Sequence, residues 1–129
     1  MKTEKKLGIY MDHSMANLIE YTNEAIEVNN INIDFSFQDK KESLTKSESL
    51  MHNKEQQKQG AFYKNLSQKI IDYDWIILFG STNAKTEFFN IVNEDSRFSK
   101  VKIRIKNTDK MTKNQQKEFV NNYFFNEEN

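Results

Sequence analysis

The chain has no cysteine, which excludes a disulfide framework, a thiolate metal centre and a cysteine nucleophile, and fits a reducing compartment. Proline is absent as well, and the three glycines, Gly8, Gly60 and Gly80, lie far apart. No Pro/Gly linker divides the chain, no internal repeat is visible, and neither a P-loop nor a Gly-x-Ser-x-Gly elbow can be assembled. Long apolar runs are also missing. The longest, Trp75 through Phe79, falls far below the roughly 18 residues of a membrane span, and the charged stretch 1–6 precedes no signal-peptide core. What remains is a chain of 129 residues, the length of one domain able to bury a core unaided. The expectation is a single cytoplasmic domain over 1–129, without a cofactor.

Charge is present in quantity, but neither sign is in excess: 19 Lys and Arg meet 19 Asp and Glu. The distribution is uneven. Over residues 7–34 the acids Asp12, Glu20, Glu24, Glu27 and Asp34 meet no base. Over 97–117 the bases Arg97, Lys100, Lys102, Arg104, Lys106, Lys110, Lys113 and Lys117 meet only Asp109. Such polarity can orient a neutral protein on a polyanion, because association responds to potential within a Debye length of about 8 Å; a merely solvated face is the competing reading.

The apolar spacing predicts a hairpin over 7–22, turning at Ser14, and a third strand over 25–37 in which Ile31, Ile33, Phe35 and Phe37 alternate with polar residues and Asn29-Asn30 introduce a bend or bulge. Residues 38–53 are polar and aperiodic and read as an exposed loop. A helix follows from about Lys54, with Phe62, Tyr63, Leu66 and Ile70 on one face. The continuous run from Trp75 predicts a strand covered on both faces, central in the sheet. Ala84, Phe88, Ile91 and Val92 mark a second helix capped by Thr82 or Asn83. Val101, Ile103 and Ile105 alternate with Lys102, Arg104 and Lys106 in a strand with one buried and one basic face. Thr112 and Gln115 form a capping box for a last helix whose inner side carries Gln116, Phe119, Val120, Tyr123 and Phe124, with 126–129 as an acidic tail. The order βββαβαβα predicts an α/β domain, a mixed five-stranded sheet with helices on its faces, because parallel neighbours need helical crossovers. This is the ribonuclease H-like order, shared by nucleases and ribosome ligands.

Residues 75–88, WIILFGSTNAKTEF, resemble the strand, turn and helix start of the middle domain of archaeal and eukaryotic class I peptide release factors and of the related Pelota proteins. Gly80, Ser81, Lys85, Thr86, Glu87 and Phe88 match that pattern residue by residue, and Asp12 takes the position of an Asp at the family's first hairpin turn. The chain is similar, too, to bacterial single-domain relatives known as translational machinery components. The resemblance implies a ribosome-directed domain. In the release factors a Gly-Gly-Gln tip lies between the third strand and the first helix; residues 38–53 hold that place here and contain no glycine. Peptidyl-tRNA hydrolysis is therefore not expected. Pelota-type domains also lack the tip, and they bind stalled ribosomes.

Candidate sites follow from residue type. The stripe Lys102, Arg104 and Lys106, continued by Lys110 and Lys113, suits phosphate contacts with RNA. Gly80 and Ser81 opening a helix, with Lys85 adding an ammonium, suit either an anion or ordinary capping. Asp12 suits either a two-metal nuclease centre or a turn, but the end of the Trp75 strand supplies no second carboxylate. His13 and His52 stand outside any dyad, and the aromatics sit at core-facing spacing rather than as a base-stacking platform. The expected function is a non-enzymatic ribosome- or RNA-associated factor; a hydrolase using Asp12 and a protein-binding module remain as alternatives.

Overall fold

Two neighbouring parallel strands with every residue buried organise the sheet. The structure, a computed structural model, describes residues 4–22, 24–33 and 48–128, without the side chains of 48–57, 127 and 128. In chain order the elements are β1 (Lys6–Met11), β2 (Met15–Tyr21), β3 (Ala25–Asn32), α1 (Glu48–Ile70), β4 (Trp75–Gly80), α2 (Ala84–Asn93), a 3-10 turn (Ser96–Phe98), β5 (Lys102–Asn107) and α3 (Lys113–Glu128). The five strands lie in the order β3-β2-β1-β4-β5. The β1–β2 and β2–β3 pairs are antiparallel, and β1–β4 and β4–β5 are parallel. The fold is thus the expected mixed α/β sheet. The wholly buried strands are β1 and β4; β1 is the middle one, and the Trp75 strand stands beside it.

Asp12 sets the β1–β2 turn. Its Oδ1 accepts hydrogen bonds from Ser14 N at 2.7 Å, Ser14 Oγ at 3.0 Å and Met15 N at 2.9 Å, locally satisfying the reversing backbone. The alternation of side chains then divides the core in two. On one face Leu7, Ile9, Met11, Ile76 and Leu78 pack against Phe62, Leu66 and Ile70 of α1 and Ala84, Phe88 and Val92 of α2. On the other, Tyr10, Ile19, Tyr21, Trp75, Ile77 and Phe79 meet Val120 and Phe124 of α3. Each fully buried Leu, Ile or Phe contributes roughly 1.5–3 kcal/mol. Gln116 belongs on the inner side of α3 because its amide is satisfied there: Oε1 accepts from Asn17 Nδ2 at 2.9 Å and Nε2 donates to Met111 O at 3.0 Å. The capping box forms as predicted, with Gln115 N donating to Thr112 Oγ1 at 3.2 Å and Thr112 N to Gln115 Oε1 at 2.9 Å.

Several expected boundaries and faces differ. Residues 48–53 are helical rather than loop, so α1 begins earlier than Lys54; residues 34–47 lie outside the described residues, and with them Phe35, Phe37 and most of the predicted loop. The bulge in β3 falls at Val28, which is skipped between the pairs Leu18–Asn29 and Ile19–Glu27. On this edge strand Ile26 and Val28 stand half exposed. Ile91, assigned to the inner face of α2, points outward, and Ile105 is also exposed because β5 is an edge strand. The tail at 126–128 continues α3. No described helix is long and apolar enough to cross a membrane.

Gly8 is where α3 approaches β1 most closely, since a Cβ there would run into the side chain of Val120. Gly8→Ala is therefore expected to destabilise the fold by roughly 1–3 kcal/mol. In a denaturant double-mutant cycle with Val120→Ala, which clears the space, the two losses should be clearly less than additive; additivity would place the close approach elsewhere.

Candidate nucleic-acid interface

The site begins with the pleat of β5. Residues 102, 104 and 106 share one face by the period of two, and their register partners on β4 are Trp75, Ile77 and Phe79. They therefore lie on the α3 side of the sheet. Yet α3 packs chiefly over β1, β2 and β3, and Lys102, Arg104 and Lys106 are all exposed. On this face β5 is left as a strip that the helix does not cover, while Trp75, Ile77 and Phe79 of the neighbouring β4 are buried.

Aromatic side chains form the floor and far wall of this strip. Lys102 Nζ sits 4.4 Å from the Trp75 ring centroid, and Lys6 Nζ lies 5.9 Å from the same ring, distances at which a cation is attracted by the indole quadrupole. Phe119 stacks on Phe79 at 4.3 Å between centroids, and Tyr123 continues the row 6.1 Å from Phe119. Phe119 and Tyr123 are only half buried, unlike Val120 and Phe124 beside them. A groove of about 330 Å³ lies among Lys106, Phe119, Asn122, Tyr123 and Asn126. At the Trp75 end, Glu4 and Asp74 join Lys100 and Lys102 around a second depression, so the stripe loses its uniform sign there.

The five basic residues proposed from sequence do not all converge. Lys102, Arg104 and Lys106 form the stripe, and Lys110 lies exposed in the connection that follows β5. Lys113 does not belong to it. Its Nζ is 3.4 Å from Glu27 Oε2, on the β3 flank of α3, where Asn121 Oδ1 also accepts from Ala25 N at 2.7 Å. The aromatic wall escaped sequence reasoning because Phe119 and Tyr123 sit at the same core-like spacing as Val120 and Phe124. Its one signal is width: an inner face carrying Gln116, Phe119, Val120, Tyr123 and Phe124 is broader than a helix needs to cover a sheet edge.

The segment matching the release-factor pattern lies at the opposite face and has structural tasks. Gly80 has φ +149° and a Cβ there would lie 2.6 Å from Met11 O, so only glycine fits between the ends of β4 and β1. Lys85 is buried, its Nζ donating to Thr82 O; burial holds its pKa below the ordinary lysine value. Its ammonium is thus turned inward, away from any anion at the helix start. Glu87, in the first turn of α2, joins three elements: Oε2 lies 3.2 Å from His13 Nε2 at the β1–β2 turn, and Oε1 accepts from Tyr63 OH of α1 at 2.9 Å. The hydrogen bonds from His13 and then Tyr63 depress its pKa. Burial, reinforced by Glu87, pushes the Tyr63 hydroxyl up. Thr86 and Ser81 are exposed, and Phe88 is core. The side chain of His52 lies outside the described residues. Among those described, no three His, Asp or Glu converge as a metal site would require.

No protein-family model matches the chain, and no curated protein does. Among solved structures it is similar to Pelota from the archaeon Archaeoglobus fulgidus, described in a crystal structure revealing inter-domain structural plasticity, with a TM-score of 0.59 and 9% identity. The match covers 98% of this chain and 32% of that one. The likeness is one of fold, and this chain spans about a third of the Pelota chain.

Two outcomes test these assignments. Because the folded pKa of Glu87 is depressed, its contribution to stability is present above the unfolded value of about 4.3 and is lost as pH falls through the folded value. Glu87→Gln should cost less than about 1 kcal/mol at pH 7, the pair being solvent-screened, and the two urea melts should draw together as pH falls below the ordinary glutamate range. Lys85→Met removes a buried ammonium and keeps its volume; it is expected to leave stability unchanged or raise it, by on the order of 1 kcal/mol, whereas a drop in melting temperature would mean that the Thr82 contact outweighs desolvation.

Proposed function

We propose that this domain is a non-enzymatic, ribosome- or RNA-associated accessory factor of the translation machinery, corresponding to the middle domain of Pelota and the release factors and unable to hydrolyse peptidyl-tRNA. The observation that carries the reading is the open basic stripe Lys102, Arg104 and Lys106 on a domain with the Pelota-like fold. The match at residues 80–88 and the glycine-free stretch 38–53 support the assignment to a tipless relative. The three hydrogen bonds that Asp12 Oδ1 accepts within the β1–β2 turn support a turn-forming role for that residue.

A protein-binding module is the second reading, favoured by a depression of about 390 Å³ at the β5 edge of the sheet, where Phe89, Val92, Val101 and Ile103 are joined by Lys102 and Arg104. The readings separate experimentally. On sucrose gradients the wild-type chain should travel with ribosomes at low salt and dissociate as salt rises, as phosphate contacts require. Lys102→Glu, Arg104→Glu and Lys106→Glu should each weaken association regardless of RNA sequence and lower the salt slope by roughly one. A chain that stays at the top of the gradient at every salt, or charge reversals without effect, would reject the RNA reading in favour of the protein module.

A further inference from the structure

We infer that the groove between β5 and α3 is a binding site for single-stranded RNA, in which Lys102, Arg104 and Lys106 hold successive phosphates and the row of Phe119 and Tyr123 stacks an unpaired base. This rests on the RNA reading above and specifies its ligand. The geometry has three parts. Alternate residues of a strand are roughly 6.6 Å apart by a rise of about 3.3 Å, so the three cations form a linear ladder suited to an extended backbone. A helix stands along one side of this ladder, with half-buried aromatic rings turned toward it. At the Lys106 end of the ladder a groove of about 330 Å³ separates it from Phe119 and Tyr123, at the low end of small-ligand sites.

A double helix does not suit this arrangement. Its base faces are consumed by stacking, and its charges are met across open surfaces rather than along a slot. An unpaired strand offers both a phosphate run and a free π-face, which aromatic and basic walls engage together. Asn122 and Asn126, both exposed on the groove, add amide groups that can meet base edges without fixing a sequence. Glu4 and Asp74 at the Lys102 end bound the phosphate run, so the footprint is short. An acidic peptide would satisfy the cations but leave the aromatic wall unused, and so fits less of what is present.

The test uses the full chain and three fluorescein-labelled probes: octauridylate, an eight-base-pair RNA duplex and octaglutamate. Binding is read by anisotropy and by emission of the only tryptophan, Trp75, which contacts Lys102. Octauridylate should bind more tightly than the other two and alter Trp75 emission, with a log–log salt slope of about −2, from roughly 0.7 for each of the three phosphates. Phe119→Leu with Tyr123→Leu should weaken it about tenfold or more. Should that variant fail to fold by circular dichroism, Asn122→Asp with Asn126→Asp places negative charge in the groove outside the core, and a comparable loss is expected. Duplex or octaglutamate binding equal to the strand, or groove variants without effect while the Lys and Arg reversals still abolish ribosome association, would overturn the groove and leave the RNA reading intact. Loss of neither under any variant would remove both.

Discussion

The arrangement of this molecule follows from a mismatch of widths: a sheet face five strands wide, about 19 Å at roughly 4.8 Å per strand, is served by one helix about 10 Å across. The other face has no such shortage, since α1 and α2 both pack on it. On the α3 face the helix has to choose, and it lies over the antiparallel side of the sheet, β1, β2 and β3. Gly8 lets Val120 settle directly on β1, Gln116 is held by Asn17 of β2, and Asn121 by Ala25 of β3. Each of these ties draws α3 away from β5. The strand left bare is the one whose outward residues on that face are cationic and exposed, and Lys102 sets its ammonium over the Trp75 ring.

The residues that match the release-factor pattern have a different part in the same design. Gly80 allows the ends of β4 and β1 to close on each other, Lys85 is folded into the protein, and Glu87 ties the β1–β2 turn to α1 and α2. They fix the crossover end of the sheet, which is remote from the basic stripe in sequence and lies on the opposite side of the sheet from α3. A resemblance in these positions is a resemblance in how the scaffold is locked.

The order of elements, the strand faces of β1, β2 and β4, the α1 face through Ile70 and the capping box of α3 were legible in the sequence because each rests on local periodicity or short-range hydrogen bonding. The misread parts depend on neighbours. Ile105 has the spacing of a buried residue, but edge position leaves it uncovered, and no periodicity reports which strand will be an edge; Ile91 lies on the flank of α2 that nothing covers. For the site, the cationic alternation of β5 was readable, whereas the contribution of Phe119 and Tyr123 was not, since spacing places them inside a helix face without saying that α3 stops short of β5. Lys113 fails for the converse reason: close in sequence to the stripe, it is carried by the turn of α3 to Glu27 on the far flank.

The sheet order also converts a segregation along the chain into one across space. The acid-rich hairpin and third strand occupy one edge, with Glu24 and Glu27, and the basic strand occupies the other. A chain whose formal charge is zero therefore carries a field directed from edge to edge. At physiological ionic strength, with a Debye length of about 8 Å, a sheet about 19 Å wide keeps the two ends electrostatically distinct, so a polyanion near β5 scarcely senses the acids of β3. Net charge is then the wrong quantity by which to judge this protein's affinity for phosphate; the local potential along Lys102, Arg104 and Lys106 is the relevant one.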